Sequence, residues 1–351
     1  MKAVVLVGGE GTRLRPLTET MPKPLVPLMD RASLDHVLDH LARHGVHEVV
    51  LSSSYLEVTF HAFIDGRRGD PAISWITESE PLGTGGAVVN ALGVLETDEA
   101  FLALNGDILT DLDLTAMTAL HRDRGAAATI ALTHVEDARP YGLVPTEADG
   151  RVIEFREKPV DPEPGDVNAG TYVLEPRSLG AWAPGRAASI EREIFPALIA
   201  GGSPVVGFAS DAYWMDLGTP ASYLRAHFDI LEGRVGFEPE YPAPFVGDGA
   251  EVHLEAHLGR WVVIGAGARV GARARIEDSV LHPGAEVGAG ARVTGSILGP
   301  RARVGSDAVL QDAILAERAA VPAGARGSGI RVSAGQTAGR AGMPGAPQPL
   351  G

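Results

Sequence analysis

The 351-residue sequence contains no cysteine, which excludes disulfides, thiolate metal sites and cysteine nucleophiles together and fits a reducing compartment. Lysine is nearly missing: of 30 basic residues only Lys2, Lys23 and Lys158 are not arginine. Basic residues are outnumbered by 45 acidic ones, for a net charge of −15, so a broad cationic face for nucleic acid is excluded. Any anionic ligand must then be held by a local cluster of donors. No apolar run approaches the ~18 residues of a membrane span, and glycines and charge interrupt the opening MKAVVLVGGEGTR too early for a signal peptide. These absences predict a soluble cytoplasmic protein with neither nucleic-acid nor membrane partners. The rest is globular in composition, 45% hydrophobic and 21% charged. At ~150 residues per domain, the length predicts two or three domains.

Residues 1–235 alternate short β-rich runs with helical patterns, which predicts an α/β, Rossmann-like, doubly wound and mostly parallel sheet covered on both faces. Strands are expected at Ala3–Val7, Val49–Leu51, Ile73–Ile76, Phe101–Leu104 and Thr129–Leu132. Leu34, Val37, Leu38, Leu41 and Ala42 follow helical spacing after Ser33 and before Gly45. Further helices are expected near Thr84–Leu95 and Thr115–Arg124, and Thr219 and Pro220 suit the N-cap and first position of one ending near Leu231. In such sheets ligands bind beyond the carboxyl ends of the strands.

A linker, 236–245, is rich in Pro and acidic residues. Beyond it, aliphatic residues recur: Val246, Ile264, Val270, Val287 and Val304 each open a Gly- and Ala-rich stretch. Ile276, Val293 and Leu310 are 17 apart, and EDSVL, TGSIL and QDAIL lie at matching offsets. This register predicts a left-handed parallel β-helix of hexapeptide repeats over 246–325, of roughly four or five coils, with a disordered tail over 326–351. The coils are expected to dock subunits or the catalytic domain, and through them the chain is expected to form a homo-oligomer.

The loop after the first strand, GGEGTRLRPLT, is neither a Walker A loop nor a dinucleotide fingerprint, which would need a further glycine. It does hold the parts of a phosphate cradle. Gly8, Gly9 and Gly11 let backbone N–H groups converge on an anion, Arg13 adds a guanidinium, and Lys23 follows between two prolines. A compact ammonium retained in a lysine-poor chain suits a point contact with phosphate.

GxGTRxxP followed by PKPL resembles the signature of the sugar-1-phosphate nucleotidyltransferases. The resemblance continues in order through EPLGTGGA from Glu80, NGD at 105–107, FREKP from Phe155, NAG from Asn168, SIEREIFP from Ser189 and YWMDLGTP from Tyr213. It covers residues 1–232, and within the family these motifs look most like the mannose-1-phosphate guanylyltransferases. The resemblance implies that a nucleoside triphosphate and a sugar 1-phosphate are joined with release of pyrophosphate. On the matching positions, Gly8, Gly9, Gly11, Thr12, Arg13, Lys23, Glu80, Gly85 and Asp107 would bind nucleotide. Arg13, Lys23, Asp107 and Asp216 would be catalytic, with Asp107 and Asp216 holding Mg²⁺. Gly142, Glu157, Lys158, Asn168 and Gly170 would bind the sugar phosphate.

Glu80 bears on the base. A carboxylate only accepts hydrogen bonds, and the guanine edge offers two adjacent donors where uracil and thymine offer one donor between acceptors. Glu80 thus favours GTP, with Glu78 two residues away as a second carboxylate. The alternatives are glucose-1-phosphate thymidylyl or uridylyl transfer, manno-heptose-1-phosphate guanylyl transfer, and a silent nucleotide-sugar-sensing subunit. Arg13, Lys23, Asp107, Lys158 and Asp216 are all retained, which disfavours the last. Acyl transfer by the β-helix is disfavoured too, because His253, His257 and His282 stand in no motif assignable to a general base.

Overall fold

The computed structural model describes residues 1–53, 57–236 and 239–339. Its contacts form two compact units, Met1–Gly9 with Leu34–Trp214, and Glu10–Ser33 with Met215–Gly351. Residues 10–33 and 215–235 thus group with the repeats, although they precede the linker in sequence.

In the first unit, the described residues form a nine-stranded mixed sheet. Its parallel half follows the expected runs. Lys2–Leu6 lies between Glu48–Ser53 and Phe101–Asn105, and Ala72–Thr77 pairs with Glu48–Ser53 at the edge. Gly165–Leu174 then runs antiparallel to both Phe101–Asn105 and Ala128–Val135, so the sheet is less parallel than expected. Helix Ser33–Arg43 buries Leu34, Val37, Leu38 and Leu41, all 8% exposed or less, and Gly45 leaves it at φ +74°. Helix Leu114–Asp123 starts where Asp113 accepts a hydrogen bond from Ala116 N–H. Helix Glu57–Gly66 was not expected.

In the second unit, three parallel sheets of six, five and five strands wind a parallel β-helix of the left-handed, hexapeptide type through the described residues. Coil repeats are 17 residues after the first, as in the register Ile264, Leu281, Leu298, Leu315 and Val332. Seventeen rather than eighteen leaves a single residue at one corner. Asp278, Gly295, Asp312 and Gly329 occupy it with φ between +49° and +64°, which explains the Asp/Gly alternation in EDSVL, TGSIL and QDAIL. The aliphatic residues form one buried core along the coils. Ser279 and Ser296 add an inner rung, each hydroxyl accepting from the backbone N–H of the coil above at 3.0 Å. The coils run past the expected limit at 325. Arg326–Ser328 and Arg331–Val332 are strands because Val332 is the next apolar residue in register, so a disordered tail does not begin at 326. Residues 340–351 of that expected tail lie outside the described residues.

Helix Pro220–Leu231, also in this unit, begins in a capping box in which Thr219 and Ser222 exchange side-chain and backbone hydrogen bonds. Its Tyr223 joins Leu14, Leu17, Val26, Ile297 and Ile314 in a buried cluster. The glycine-rich signature segment is thereby packed on an outer face of the β-helix. No helix among the described residues is long and apolar enough to cross a membrane.

Candidate active site

Within the second unit, three of the expected catalytic residues meet. Lys23 Nζ lies 3.3 Å from Asp216 Oδ1 and Arg13 Nη2 lies 3.4 Å from Asp216 Oδ2, so one carboxylate faces two cations. Lys23 is 7% exposed, held in a 3₁₀ turn over Lys23–Leu25, whereas Arg13 reaches into solvent. Gly11 turns the loop at φ +60°, where a Cβ would sit 3.0 Å from the Cβ of Lys23 and Cγ2 of Thr18. The hydroxyl of Thr18 donates to the Gly11 carbonyl at 2.8 Å and holds that turn shut. Thr12 opens the next short turn, Thr12–Leu14.

Gly218 was not among the expected residues. A Cβ there would come within 2.5 Å of Arg13 Nη2 and 2.7 Å of Asp216 Oδ1, so the guanidinium and carboxylate can meet only over a glycine. The signal was present in the motif MDLGTP but was read for its aspartate alone.

Within the first unit, the strand ends place a second group of expected residues. Gly8 and Gly9 follow the strand Lys2–Leu6, and Asp107 follows the neighbouring strand Phe101–Asn105. Gly106 N–H donates to the Leu6 carbonyl at 2.9 Å, and a Cβ at Gly106 would meet Val7 Cγ1 at 2.8 Å. Asp107 is thus delivered where the first loop begins. A cavity of about 240 Å³ opens at the start of that loop, lined by Leu6, Gly8, Gly9, Ser52, Glu78, Pro81, Gly83, Thr84 and Ala87.

The acidic residue of that cavity is Glu78, not Glu80. Glu78 is 8% exposed and held rigid, with Ser52 Oγ donating to Oε1 and Leu82 N–H to Oε2, both at 2.9 Å. Glu80 is exposed on the approach to helix Gly83–Leu95 and is not among the residues that line this cavity. The physical reason is strand direction. Ala72–Thr77 ends beside Ser53, so the next residue stays under the sheet edge while Glu80 has already turned away. Gly85 also serves differently from expectation. Its N–H donates to the Ala188 carbonyl at 2.9 Å and a Cβ would clash with Ile194 Cδ1 at 2.7 Å, so it packs the helix against Ala188–Ile194 while Gly83 and Thr84 face the cavity.

The expected sugar-phosphate residues gather on adjacent strands at one side of the same sheet. Glu157 pairs with Gly142, and Leu143 with Val167, one residue before Asn168. A Cβ on Gly142 would overlap the Phe155 ring at 2.6 Å and come within 3.0 Å of Glu157 Oε2. Lys158 has φ +51° and its ammonium lies 3.4 Å from Glu157 Oε1. Asn168 is oriented at both ends, Oδ1 accepting from Gly170 N–H at 2.9 Å and Nδ2 donating to Tyr172 Oη at 2.7 Å. Burial pushes the Tyr172 phenol well above its ordinary pKa, so it stays neutral. Gly170, at φ +72°, would place a Cβ 2.7 Å from Asn105 Nδ2. Trp214 packs edge-on to Tyr141 and donates to the Ala169 carbonyl at 2.9 Å.

No cluster of three or more His, Asp or Glu suited to a metal occurs among the described residues. Asp107 in the first unit and Asp216 in the second each carry hard carboxylate oxygens, the donor type that a divalent cation takes from protein.

Residues 2–233 match the model of the nucleotidyl transferase family, and residues 241–333 that of the GMPPB C-terminal domain. The chain is 40% identical over 290 residues to a mannose-1-phosphate guanylyltransferase of Mycobacterium tuberculosis, spanning 80% of this chain and 79% of that one. It is 37% identical over 243 residues to the mannose-1-phosphate guanylyltransferase catalytic subunit beta of Dictyostelium discoideum, covering 68% and 67% of the two. Among solved structures, HddC from Yersinia pseudotuberculosis complexed with GMP-PN superposes with a TM-score of 0.57 at 29% identity, over 65% of this chain and 98% of that one.

Proposed function

The chain belongs to the nucleotidyl transferase family, and from that premise we propose that it transfers a guanylyl group from GTP to mannose 1-phosphate, giving GDP-mannose and pyrophosphate. A phosphate oxygen of the sugar phosphate attacks the α-phosphorus, and the bond to the bridging oxygen of the leaving pyrophosphate breaks. Two polyanions must be brought together against their repulsion, so catalysis is alignment and charge neutralisation. The observation that carries the reading is the convergence of Lys23 and Arg13 on Asp216. These two cations stabilise charge on the departing pyrophosphate. Gly8, Gly9, Gly11 and Thr12 wrap the triphosphate with backbone N–H groups. Asp107 and Asp216 would supply oxygens to a divalent cation, Mg²⁺, whose charge would offset that of the phosphates and polarise the α-phosphorus.

Guanine preference rests on Glu78 in place of Glu80. Its carboxylate is fixed by Ser52 and Leu82 in a cavity beside Gly8 and Gly9, and it can accept from the two adjacent donors of guanine. Glu157, Lys158 and Asn168 hold the sugar phosphate, with Gly142 and Gly170 allowing close approach. The soluble phosphate substrates and the lack of cysteine support a cytoplasmic location. The β-helix supports self-association through its coils.

The test is pyrophosphate release over a matrix of GTP, UTP and dTTP against mannose 1-phosphate and glucose 1-phosphate. Turnover concentrated in the GTP and mannose 1-phosphate combination is expected. Turnover confined to a pyrimidine nucleotide would overturn the base assignment, and none with any pair would overturn the reaction.

A further inference from the structure

His282 lies on the β-helix, 2% exposed, directly after the strand Ser279–Leu281. Its Nε2 is 2.8 Å from Tyr223 Oη, and Tyr223 also bonds the Pro27 carbonyl. The protons in this chain are determined by chemistry. A carbonyl only accepts, so the single phenolic proton goes to Pro27, and the tyrosine oxygen must accept from Nε2–H of His282. Its Nδ1 has no hydrogen-bond partner among the described residues, which suits a neutral ring carrying its one proton on Nε2. Burial alone lowers its pKa to about 3 and keeps it so.

One turn along the same helix, His227 is wholly buried and its Nδ1 accepts from Met29 N–H at 3.2 Å. Tyr223 and His227, four residues apart, thus grip a carbonyl and an N–H of one tight hairpin, Pro27–Leu28 with Arg31–Ala32, whose Met29 has φ +58°. That hairpin is continuous with the turn carrying Lys23. Val26 N–H donates to the Lys23 carbonyl at 3.1 Å, and Ser33 Oγ donates to the Pro24 carbonyl at 2.9 Å. Farther along the segment, Glu19 accepts from Ser333 Oγ at 3.0 Å and from Ala334 N–H at 3.1 Å.

We propose that His282 is a positioning residue for nucleotidyl transfer: the β-helix uses it, through Tyr223, to hold the Pro27 carbonyl and with it the turn that aims Lys23 at the leaving pyrophosphate. The coils are then part of the catalytic support and not only an assembly module. The inference rests on the proposed reaction for its kinetic readout, but the clamp itself is observable without turnover.

The experiment uses the full chain and three variants, His282→Leu, His282→Gln and Tyr223→Phe, with GTP and mannose 1-phosphate. Glutamine can present an N–H where Nε2–H stood; leucine cannot. Expected for His282→Leu is a kcat lowered about tenfold or more with both KM values within about threefold, since a small misplacement of a catalytic group costs turnover before binding. His282→Gln should recover most of it. Hydrogen exchange at the amides of Leu25, Val26, Leu28 and Met29 should quicken in His282→Leu and Tyr223→Phe while the sheet of the first unit is unchanged. If His282→Leu does not fold, Tyr223→Phe, which removes one oxygen, makes the same comparison. Wild-type kcat in a folded His282→Leu, or unchanged exchange at those amides, would overturn the proposal. A wild-type chain inert towards these substrates would overturn the reaction instead, and exchange would still decide the clamp.

Discussion

Lys23 and Asp216 are 193 residues apart in the chain and 3.3 Å apart in space. The lysine is one of three in the sequence and sits 7% exposed, where its long stem is confined by the turn that carries it. Replacing it with arginine would keep the charge but not the fit, because a planar guanidinium cannot occupy the space of a compact ammonium. Lys23→Arg is expected to lower kcat by at least about tenfold, and Lys23→Ala by about 10²–10³, the range for removing one donor that stabilises transition-state charge. Steady-state kinetics with both substrates checks this. Retention of wild-type kcat in Lys23→Ala would remove Lys23 from the reaction.

Glu78 and Glu80 make a paired prediction. Glu78→Gln converts one acceptor oxygen into a donor that faces guanine donors and breaks a bond from Ser52 or Leu82. A charge-assisted hydrogen bond is worth about 1.5–3 kcal/mol, so kcat/KM for GTP should fall by about 10–100-fold. UTP should become relatively better. Glu80→Gln should leave both nucleotides unaffected. The reverse pattern would restore Glu80 as the base reader.

The sequence carried the parallel strands, the capped helices and the 17-residue coil period because each has a local periodic cause. Leu34 to Leu41 repeats with helical spacing, and Ile264 to Val332 repeats with the coil. Glu78 was harder to see. Its motif begins at Glu80, and only the pairing of Ala72–Thr77 beside Ser53 decides which carboxylate stays under the sheet. The antiparallel strand Gly165–Leu174 was hidden similarly, since the direction of a buried strand leaves no mark on its own apolar run. The packing of residues 10–33 on the repeats lay beyond any local pattern: Leu14, Leu17 and Val26 read as ordinary loop apolars until Ile297 and Ile314 are seen to cover them.

Two buried histidines tie stability to pH. Burial lowers His282 to a pKa of about 3, and burial with the neighbouring His44 and Arg43 lowers His40 to about 4, against Asp111 and a hydrogen bond to Leu112, which raise it. In the unfolded chain both return to near 6.5, so below that pH the unfolded state binds more protons. Stability present above pH 6.5 is therefore lost as pH falls towards 4, at up to about 1.4 kcal/mol per pH unit for each histidine. Urea unfolding midpoints between pH 8 and 5 should decline below 6.5, and less steeply in His282→Gln. A midpoint that is flat from pH 7 to 5 would contradict the burial of these groups.

Glycines on the coils separate space from conformation. At Gly288 a Cβ would sit 2.5 Å from Ser306 N, the backbone of the coil above, which cannot retreat without breaking the 2.7 Å bond from Gly288 N–H to the Val304 carbonyl. At Gly267 nothing lies within 4 Å, and only its φ of +64° resists a side chain. Gly267→Ala should cost about 1–2 kcal/mol, the left-handed penalty alone. Gly288→Ala should cost about 1–3 kcal/mol from overpacking, and the strain should spread to the neighbouring rungs. The two are best told apart by replacing each with Asn, which tolerates the left-handed region. Asn should recover much of the loss at position 267 and deepen it at position 288, and thermal unfolding of the four variants reads the difference directly. Equal recovery at both positions would show that the coils have slack which their backbone spacing denies.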